Sequence, residues 1–422
     1  MTITNASGWA ALRSRDYRLF FGARFLSGLA MQVQNVGLGW LVYDRTGSAL
    51  ALGLVGLAAF LPALALALVT GHVADRFDRR RIIVACWSVV AMGSLGLWAV
   101  ALDPRTPVWP IYALAVLVGA ARSFANPASQ ALMPNLVGRA NFASAVALNA
   151  SAWQTSSIAG PAVGGLLYAF GAPVVFAAAA GGFATAAALV SLIRVAARTS
   201  PVRKATLSTL LAGIRFIRAR PVILGAISLD LFAVLLGGAT ALLPIYARDV
   251  LLVGPVGLGL LRSAPALGAV AMSVTLAARP LQKRAGRTMF QAVGVFGLAT
   301  IVFGLSTHIV LSMACLAVLG ASDMISVYVR QTLVQAETPD EMRGRVAAVN
   351  SVFVGASNEL GEFESGALAA AIGAVPAVVV GGFGTIMVAA LWARLFPALW
   401  MRDRLVADRP APRPAEEPVL AK

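Results

Sequence analysis

Apolar and polar positions along this chain come in blocks rather than in the short alternations of a water-soluble fold. Apolar runs are separated by brief clusters of Gly, Pro and charge. A membrane-crossing helix needs about 20 apolar residues, and on that scale the blocks predict twelve spans. The first six cover 18–43, 48–70, 82–102, 108–133, 143–169 and 174–194. The second six cover 222–247, 255–278, 288–306, 309–334, 346–371 and 377–399. The predicted organisation is an N-terminal six-helix bundle (1–195), a cytoplasmic linker (196–220), a C-terminal six-helix bundle (221–400) and a cytoplasmic tail (401–422). The expected fold class is therefore an all-α membrane protein.

Composition agrees with the blocks. The chain has 422 residues, 59% hydrophobic and 12% charged, with a mean hydropathy of +0.80. A soluble domain carries about 25% charged residues, so a soluble enzyme and a disordered chain are both excluded. The net charge of +16 sits in loops. By this segmentation 25 Lys and Arg fall on the side of the two termini, against three (Arg45, Arg105, Arg248) on the other. Positive-inside bias then puts both termini in the cytoplasm of a multi-pass membrane protein. Loop cations touch anionic lipid headgroups in this reading, and nucleic acid is not an expected partner. The first span has no cleavage pattern after it and is expected to stay in place.

The two halves repeat. A displacement of 201 residues pairs Gly119 with Gly320, Gln130 with Gln331, Asn149 with Asn350, Ser156 with Ser357, Gly160 with Gly361 and Gly165 with Gly366. Repeated bundles with a site near the bilayer midplane are the mark of secondary transporters.

Gly71-His-Val-Ala-Asp75-Arg76-Phe-Asp78-Arg79-Arg80-Arg81, between spans two and three, resembles the loop motif of the major facilitator superfamily, with Asp78 where Gly is usual. The resemblance implies that Gly71, Asp75, Arg76, Arg79 and Arg80 form a conformational latch, Gly71 letting helix ends approach. In span five, Ala152, Ser156, Gly160 and Gly164 recur every four residues, a small-residue ridge for close packing. Gly160-Pro161-x-x-Gly164-Gly165 there resembles the motif of drug and proton antiporters of that superfamily. Generic packing explains it equally well.

Span eleven carries Asn358, Glu359, Glu362 and Glu364. Carboxylates inside a span are expensive and point to function or to partners. At 100° per residue Glu359 and Glu362 share an arc and Glu364 lies roughly opposite. Two adjoining carboxylates can hold one proton between them, so all three are candidates for proton coupling; pairing with an arginine is the plainer alternative. Arg122 and Asp323 are equivalent in the repeat, and the resemblance places them on cavity-lining helices. Facing each other there, they would bind a polar or anionic substrate or lock one state, with Asp230, Gln34 and Asn35 as further polar lining. Arg330 and Arg394 read as snorkelling ends; Arg24 and Arg262 rank below Arg122.

Absences matter too. The three lysines, Lys204, Lys283 and Lys422, exclude a phosphate-binding Gly-Lys-Ser/Thr loop. Cys86, Cys315, His72 and His308 are isolated, so neither metal, disulfide nor enzyme chemistry is expected. Gln331 through Arg345 and on to Asn350 resembles the branch of the superfamily that contains the bacterial enterobactin exporter. The resemblance implies efflux of a siderophore or drug-like molecule by alternating access, powered by the proton gradient without a cofactor, in a monomer. An importer of a small polar solute, or a non-transporting sensor or assembly partner on the same scaffold, remains the alternative.

Overall fold

The computed structural model describes residues 10–138, 141–194, 207–281 and 283–405, without the side chains of 67, 68, 75 and 207–210. Its long helices are α1 (Arg15–Thr46), α2 (Ala49–Arg76), α3 (Arg79–Leu102), α4 (Trp109–Leu136), α5 (Phe142–Tyr168) and α6 (Ala172–Ser191) in the first half. A shorter helix α7 (Leu207–Arg218) leads to α8 (Pro221–Leu236), α9 (Gly254–Ala278), α10 (Ala285–Leu305), α11 (Ile309–Glu337), α12 (Asp340–Ile372) and α13 (Ala374–Leu395). The predicted linker is described only from Leu207, and the predicted tail only to Leu405.

Among the described residues nine helices are long and apolar enough to cross a membrane by length and hydropathy. The other three long ones, α1, α5 and α12, fall outside because they carry polar and charged residues. Such residues in a bilayer face protein or a water-filled cavity, and each of these helices contributes to the site below. Elsewhere Met92, Leu95, Val274 and Leu298 are exposed on helix surfaces, as lipid-facing side chains require.

The pairing of helices is the same in both halves. In the first, α1 packs on α5 and α6, α2 on α4, and α3 on α4 and α6. In the second, α8 packs on α12 and α13, α9 on α11, and α10 on α11 and α13. The repeated glycines explain themselves at these crossings. A Cβ at Gly119 would stand 2.0 Å from the Ala59 carbonyl oxygen, and one at Gly320 would stand 1.9 Å from that of Pro265. Backbone meets backbone there, so no side chain fits.

Two departures from the predicted spans have local causes. Span seven is not continuous: α8 stops at Gly237-Gly238, and the chain continues through a 3-10 turn (Ala239–Leu242), Leu243–Ile245 and a π-turn (Tyr246–Val250). Gly238 lies against the backbone of Gly361, 2.7 Å from Cβ position to carbonyl oxygen, so the break lets α8 close over α12. Span twelve ends at Leu395, ahead of Pro397, which opens a separate short turn, Pro397–Trp400. Helix α7 seats Ile214 and Ile217 beside Val346 and Val349 of α12. The linker's described part is thus docked on the second bundle.

Candidate functional site

The bundles meet along two pairs, α5 with α9 and α2 with α12. Both meetings are made by glycine. A Cβ at Gly165 would be 2.5 Å from the Pro255 carbonyl oxygen, and one at Gly259 would be 2.4 Å from that of Pro161. On the other flank, Gly366 would meet the Ala49 carbonyl at 2.8 Å, and Gly53 the Phe363 backbone at 3.1 Å. These approaches lie toward the helix ends remote from the chain termini. The same end is tied by Arg248 to Asp44 at 3.2 Å, by Arg248 to the Tyr43 carbonyl oxygen at 3.2 Å and by a short hydrogen bond from Tyr43 Oη to Asp249. The ridge of α5 acts one layer further in: Ser156 Oγ donates to the Phe25 carbonyl at 3.1 Å, while Gly160 and Gly164 abut Gln32 and Val33 of α1. Gly160 and Gly164 therefore serve packing within the first bundle, and Gly165 with Pro161 serves packing between bundles.

Behind this closed end lie two cavities between the bundles. One, about 160 Å³, is lined by Asn35, Gly39, Gly56, Arg122, Arg262, Glu359 and Glu362, among others. The second, about 430 Å³, lies toward the termini and is lined by residues including Gln154, Asp230, Phe296, Asp323, Arg330, Asn358 and Glu362. Glu362 borders both. Glycines again make the room. A Cβ at Gly56 would stand 3.0 Å from Glu362 Oε2 and 3.6 Å from Glu359 Oε2, and one at Gly39 would stand 3.2 Å from Arg262 Nη2. Arg122 sits in the field of Glu359 and Arg262 in that of Glu362, yet among the described residues neither arginine has a carboxylate oxygen within ion-pair distance. Arg262 Nε is buried with no hydrogen-bond partner.

The structure thus brings Glu359, Glu362, Arg122 and Asn35 together and adds Arg262, which sequence alone ranks below Arg122. It separates Arg122 from Asp323. Arg122 lines the smaller cavity with Glu359 and Arg262, and Asp323 lies with Asp230 and Arg330 beside the larger one. Arg330 does not snorkel: it is 4% exposed, pairs with Asp230 at 3.1 Å and donates to Asn350 Oδ1 at 3.3 Å. The repeat shows here as well, since Asn149 Oδ1 accepts from Arg24 Nε at 3.3 Å. Gln34 is turned away from the cavities, its Oε1 accepting from Ser94 Oγ at 2.5 Å inside the first bundle. Glu364 lines neither cavity. The helical wheel already placed it opposite Glu362.

The loop motif holds one bundle together. Arg79 is 3% exposed and donates to the Ala131 carbonyl at 2.9 Å; Arg80 reaches the Ile193 carbonyl at 2.5 Å. Helices α3, α4 and α6 are so joined at their ends. Asp78, in the position where Gly is usual, caps α3 by accepting from Arg80 N at 2.9 Å. Gly71 is not a close approach, because a Cβ there would meet nothing within 4 Å. Arg76 is exposed, and the Asp75 side chain lies outside the described atoms. Cys86 and Cys315 are buried free thiols. Among the described residues no three His, Cys, Asp or Glu side chains cluster as a metal site.

Comparison with known proteins gives the architecture its family. The profile of the transmembrane secretion effector family matches residues 6–420. The enterobactin exporter EntS of Escherichia coli O1:K1 is 30% identical over 382 residues, 89% of this chain and 90% of the exporter. The enterobactin exporter of Shigella boydii serotype 18 matches with the same identity and shares. Among solved structures, a bacterial homologue of the human lysosomal transporter Spinster, inward-facing and unoccupied, superposes with a TM-score of 0.73 at 14% identity, over 91% of this chain and 97% of that one. The nucleoside transporter NupG superposes with a TM-score of 0.68 at 13% identity, over 92% and 100%. The matched relatives are transporters, and the architecture of two six-helix bundles is theirs. The chain belongs to the transmembrane secretion effector family of major facilitator transporters.

Proposed function

We propose that this transporter exports a small organic molecule, siderophore-like or drug-like, from the cytoplasm across a bacterial inner membrane, with protons moving inward through Glu359 and Glu362. The observation that carries this reading is the position of Glu362, shared by two cavities stacked along the bundle interface, with Glu359 beside it and Arg122 and Arg262 as counter-charges. A carboxylate so placed faces whichever cavity is open and can take a proton from one side and yield it to the other. With the termini in the cytoplasm, the glycine-zipped end is the outer one, and the arrangement is the inward-facing member of an alternating-access pair. Residues 1–195 then rock against 221–400, and the Gly71–Arg81 loop closes the cytoplasmic side in the other state. The carrier acts as a monomer. A proton shifts the equilibrium only by the difference in its affinity for the two states.

The test compares the growth medium and cytosol of cells lacking the gene, expressing it, or expressing Glu359→Gln or Glu362→Gln, by mass spectrometry. A compound that leaves only with the intact protein supports export. Reconstituted vesicles with an imposed pH gradient then read the coupling. Gradient-driven flux that survives both substitutions would remove the proton assignment, and accumulation of a medium component inside the cells would reverse the direction.

A further inference from the structure

Helix α10 begins without a cap of its own, and residues beyond α13 supply one. The first four N–H groups of a helix need acceptors from outside it. In the first bundle α3 finds one locally, in Asp78. The corresponding stretch of the second bundle, Arg279-Pro-Leu-Gln-Lys-Arg284-Ala-Gly-Arg287, contains no Asp or Glu. Arg284, just ahead of α10, stands at φ +57°, a left-handed conformation uncommon outside glycine, and its side chain makes no capping hydrogen bond. The acceptors come from 119 residues further along the chain. Asp403 Oδ1 accepts from Arg284 N at 2.9 Å, the Asp403 carbonyl from Ala285 N at 3.0 Å, and the Arg402 carbonyl from Gly286 N at 2.9 Å.

The segment 396–405 is seated on the second bundle by packing as well. Leu399 and Leu405 are buried. The Trp400 ring meets Phe290 edge-on at 5.4 Å and carries the Arg287 guanidinium at 5.9 Å. Gly286 permits the approach, because a Cβ there would stand 1.8 Å from the Leu399 carbonyl oxygen. Arg402 also reaches Glu337, the last residue of α11, at 2.9 Å. One strap thus binds two turns, the α9–α10 turn at Arg284–Gly286 and the α11–α12 turn at Glu337. The first turn ends α9 and the second begins α12, the two helices through which the second bundle meets the first. In the first bundle the loop itself does this work, Arg79 tying α3 to Ala131 of α4 and Arg80 tying it to Ile193.

We propose that Arg402 and Asp403 are positioning residues of the transport cycle. Their strap fixes the ends of α9 and α12 that meet α5 and α2 when the bundles close at the end bearing the chain termini. This role rests on the rocking of the bundles given above, and not on its direction or its coupling ion. The strap's partners named here, Arg284–Gly286, Phe290 and Glu337, all belong to the second bundle, so the strap does not hold the described state shut. Its effect falls on the other state. Without it the two turns fluctuate, and ordering them on closure costs conformational entropy at every residue fixed. The described state has no such cost, since its contacts between bundles lie at the opposite end, at Gly165 and Gly259 and at Gly53 and Gly366. Loss of the strap therefore favours the described state.

The experiment uses the full-length protein in lipid nanodiscs, with spin labels at Phe170 and Val310, exposed on the two bundles at the end remote from the termini. A long distance there reports closure at the other end. Wild type and Gly165→Ala with Gly366→Ala both serve as backgrounds, since the two methyls wedge the closed contacts apart and populate the second state. Arg402→Glu should lower the ratio of long to short distances about fivefold, the upper worth of a partly exposed ion pair. Glu337→Arg should do the same, and the two together should restore the ratio. Asp403→Ala should lower it as well, whereas Asp403→Asn, whose side-chain oxygen still accepts from Arg284 N, should keep it. Elution profile and thermal unfolding show that the variants are folded, and the charge swap leaves the composition unchanged. A strap that only adds stability would lower the unfolding temperature and leave the ratio at its wild-type value in every folded variant; that result overturns the proposal. So does a folded charge swap that stays as low as the single variants. Labels fixed at one distance in both backgrounds remove the rocking of the bundles and the strap's role with it. Labels that move between backgrounds but ignore Arg402 and Asp403 remove the strap's role alone.

Discussion

The closed end of the bundle interface is held by contacts that only glycine permits, which makes the conformational equilibrium a packing problem with a calculable sign. In the state described here a methyl at Gly165 would stand 2.5 Å from the Pro255 carbonyl oxygen and 3.0 Å from Gly259 Cα. At Gly366 it would stand 2.8 Å from the Ala49 carbonyl oxygen and 3.0 Å from Gly53 Cα. Carbon contacts settle at about 3.5–4.0 Å, and the obstructing atoms are backbone, which cannot rotate aside. Each alanine must therefore push the helix pair apart by about half to one ångström, an overpacking that costs about 1–3 kcal/mol. Rocking open at this end relieves that strain, so its whole cost enters the two-state equilibrium. Gly165→Ala with Gly366→Ala should shift it by about 2–6 kcal/mol, from about thirtyfold to over ten-thousandfold. Spin labels at Phe170 and Val310, which are 74% and 76% exposed at this end of the two bundles, would report a longer distance in the double variant. Gly119→Ala is the control: its methyl would meet Ala59 within one bundle at 2.0 Å, so it should lower thermal stability without moving the labels. A folded double variant with the wild-type distance distribution would refute the reasoning.

Other outcomes follow from single contacts. Arg330→Ala leaves Asp230 charged and buried, and should cost about 3–5 kcal/mol in thermal unfolding; Asp230→Asn added to it should recover part of that loss. Gln34→Ala removes one buried side-chain hydrogen bond and should cost about 1 kcal/mol with transport unchanged, whereas Asn35→Ala should alter transport with little effect on stability. Arg248→Ala breaks a half-exposed ion pair, so a shift of no more than about 1 kcal/mol in the spin-label equilibrium is expected. A larger shift would mean that this ion pair, rather than the glycine contacts, governs closure.

What could be read from the residues alone follows a physical divide. Span positions were legible because a bilayer imposes one length on every apolar run, and the repeat was legible because Gly119, Gly320, Gly165 and Gly366 sit at backbone crossings where nothing else fits. The break at Gly237-Gly238 was invisible to hydropathy, since unwinding a helix against α12 changes no residue's polarity. The candidate charges divided in the same way. Periodicity along one helix separated Glu364 from Glu359 and Glu362, because a wheel needs only one helix. It could not pair Arg330 with Asp230, assign Arg262 to the cavity of Glu362, or part Arg122 from Asp323, because partners on different helices depend on how two bundles meet. Symmetry of sequence suggested that Arg122 and Asp323 answer each other across the cavity. Symmetry of structure puts equivalent positions in different bundles with different neighbours: Arg122 beside Glu359, and Asp323 beside Asp230 and Arg330. A repeat that has diverged at such a pair places two unlike side chains at equivalent positions, one beside each cavity.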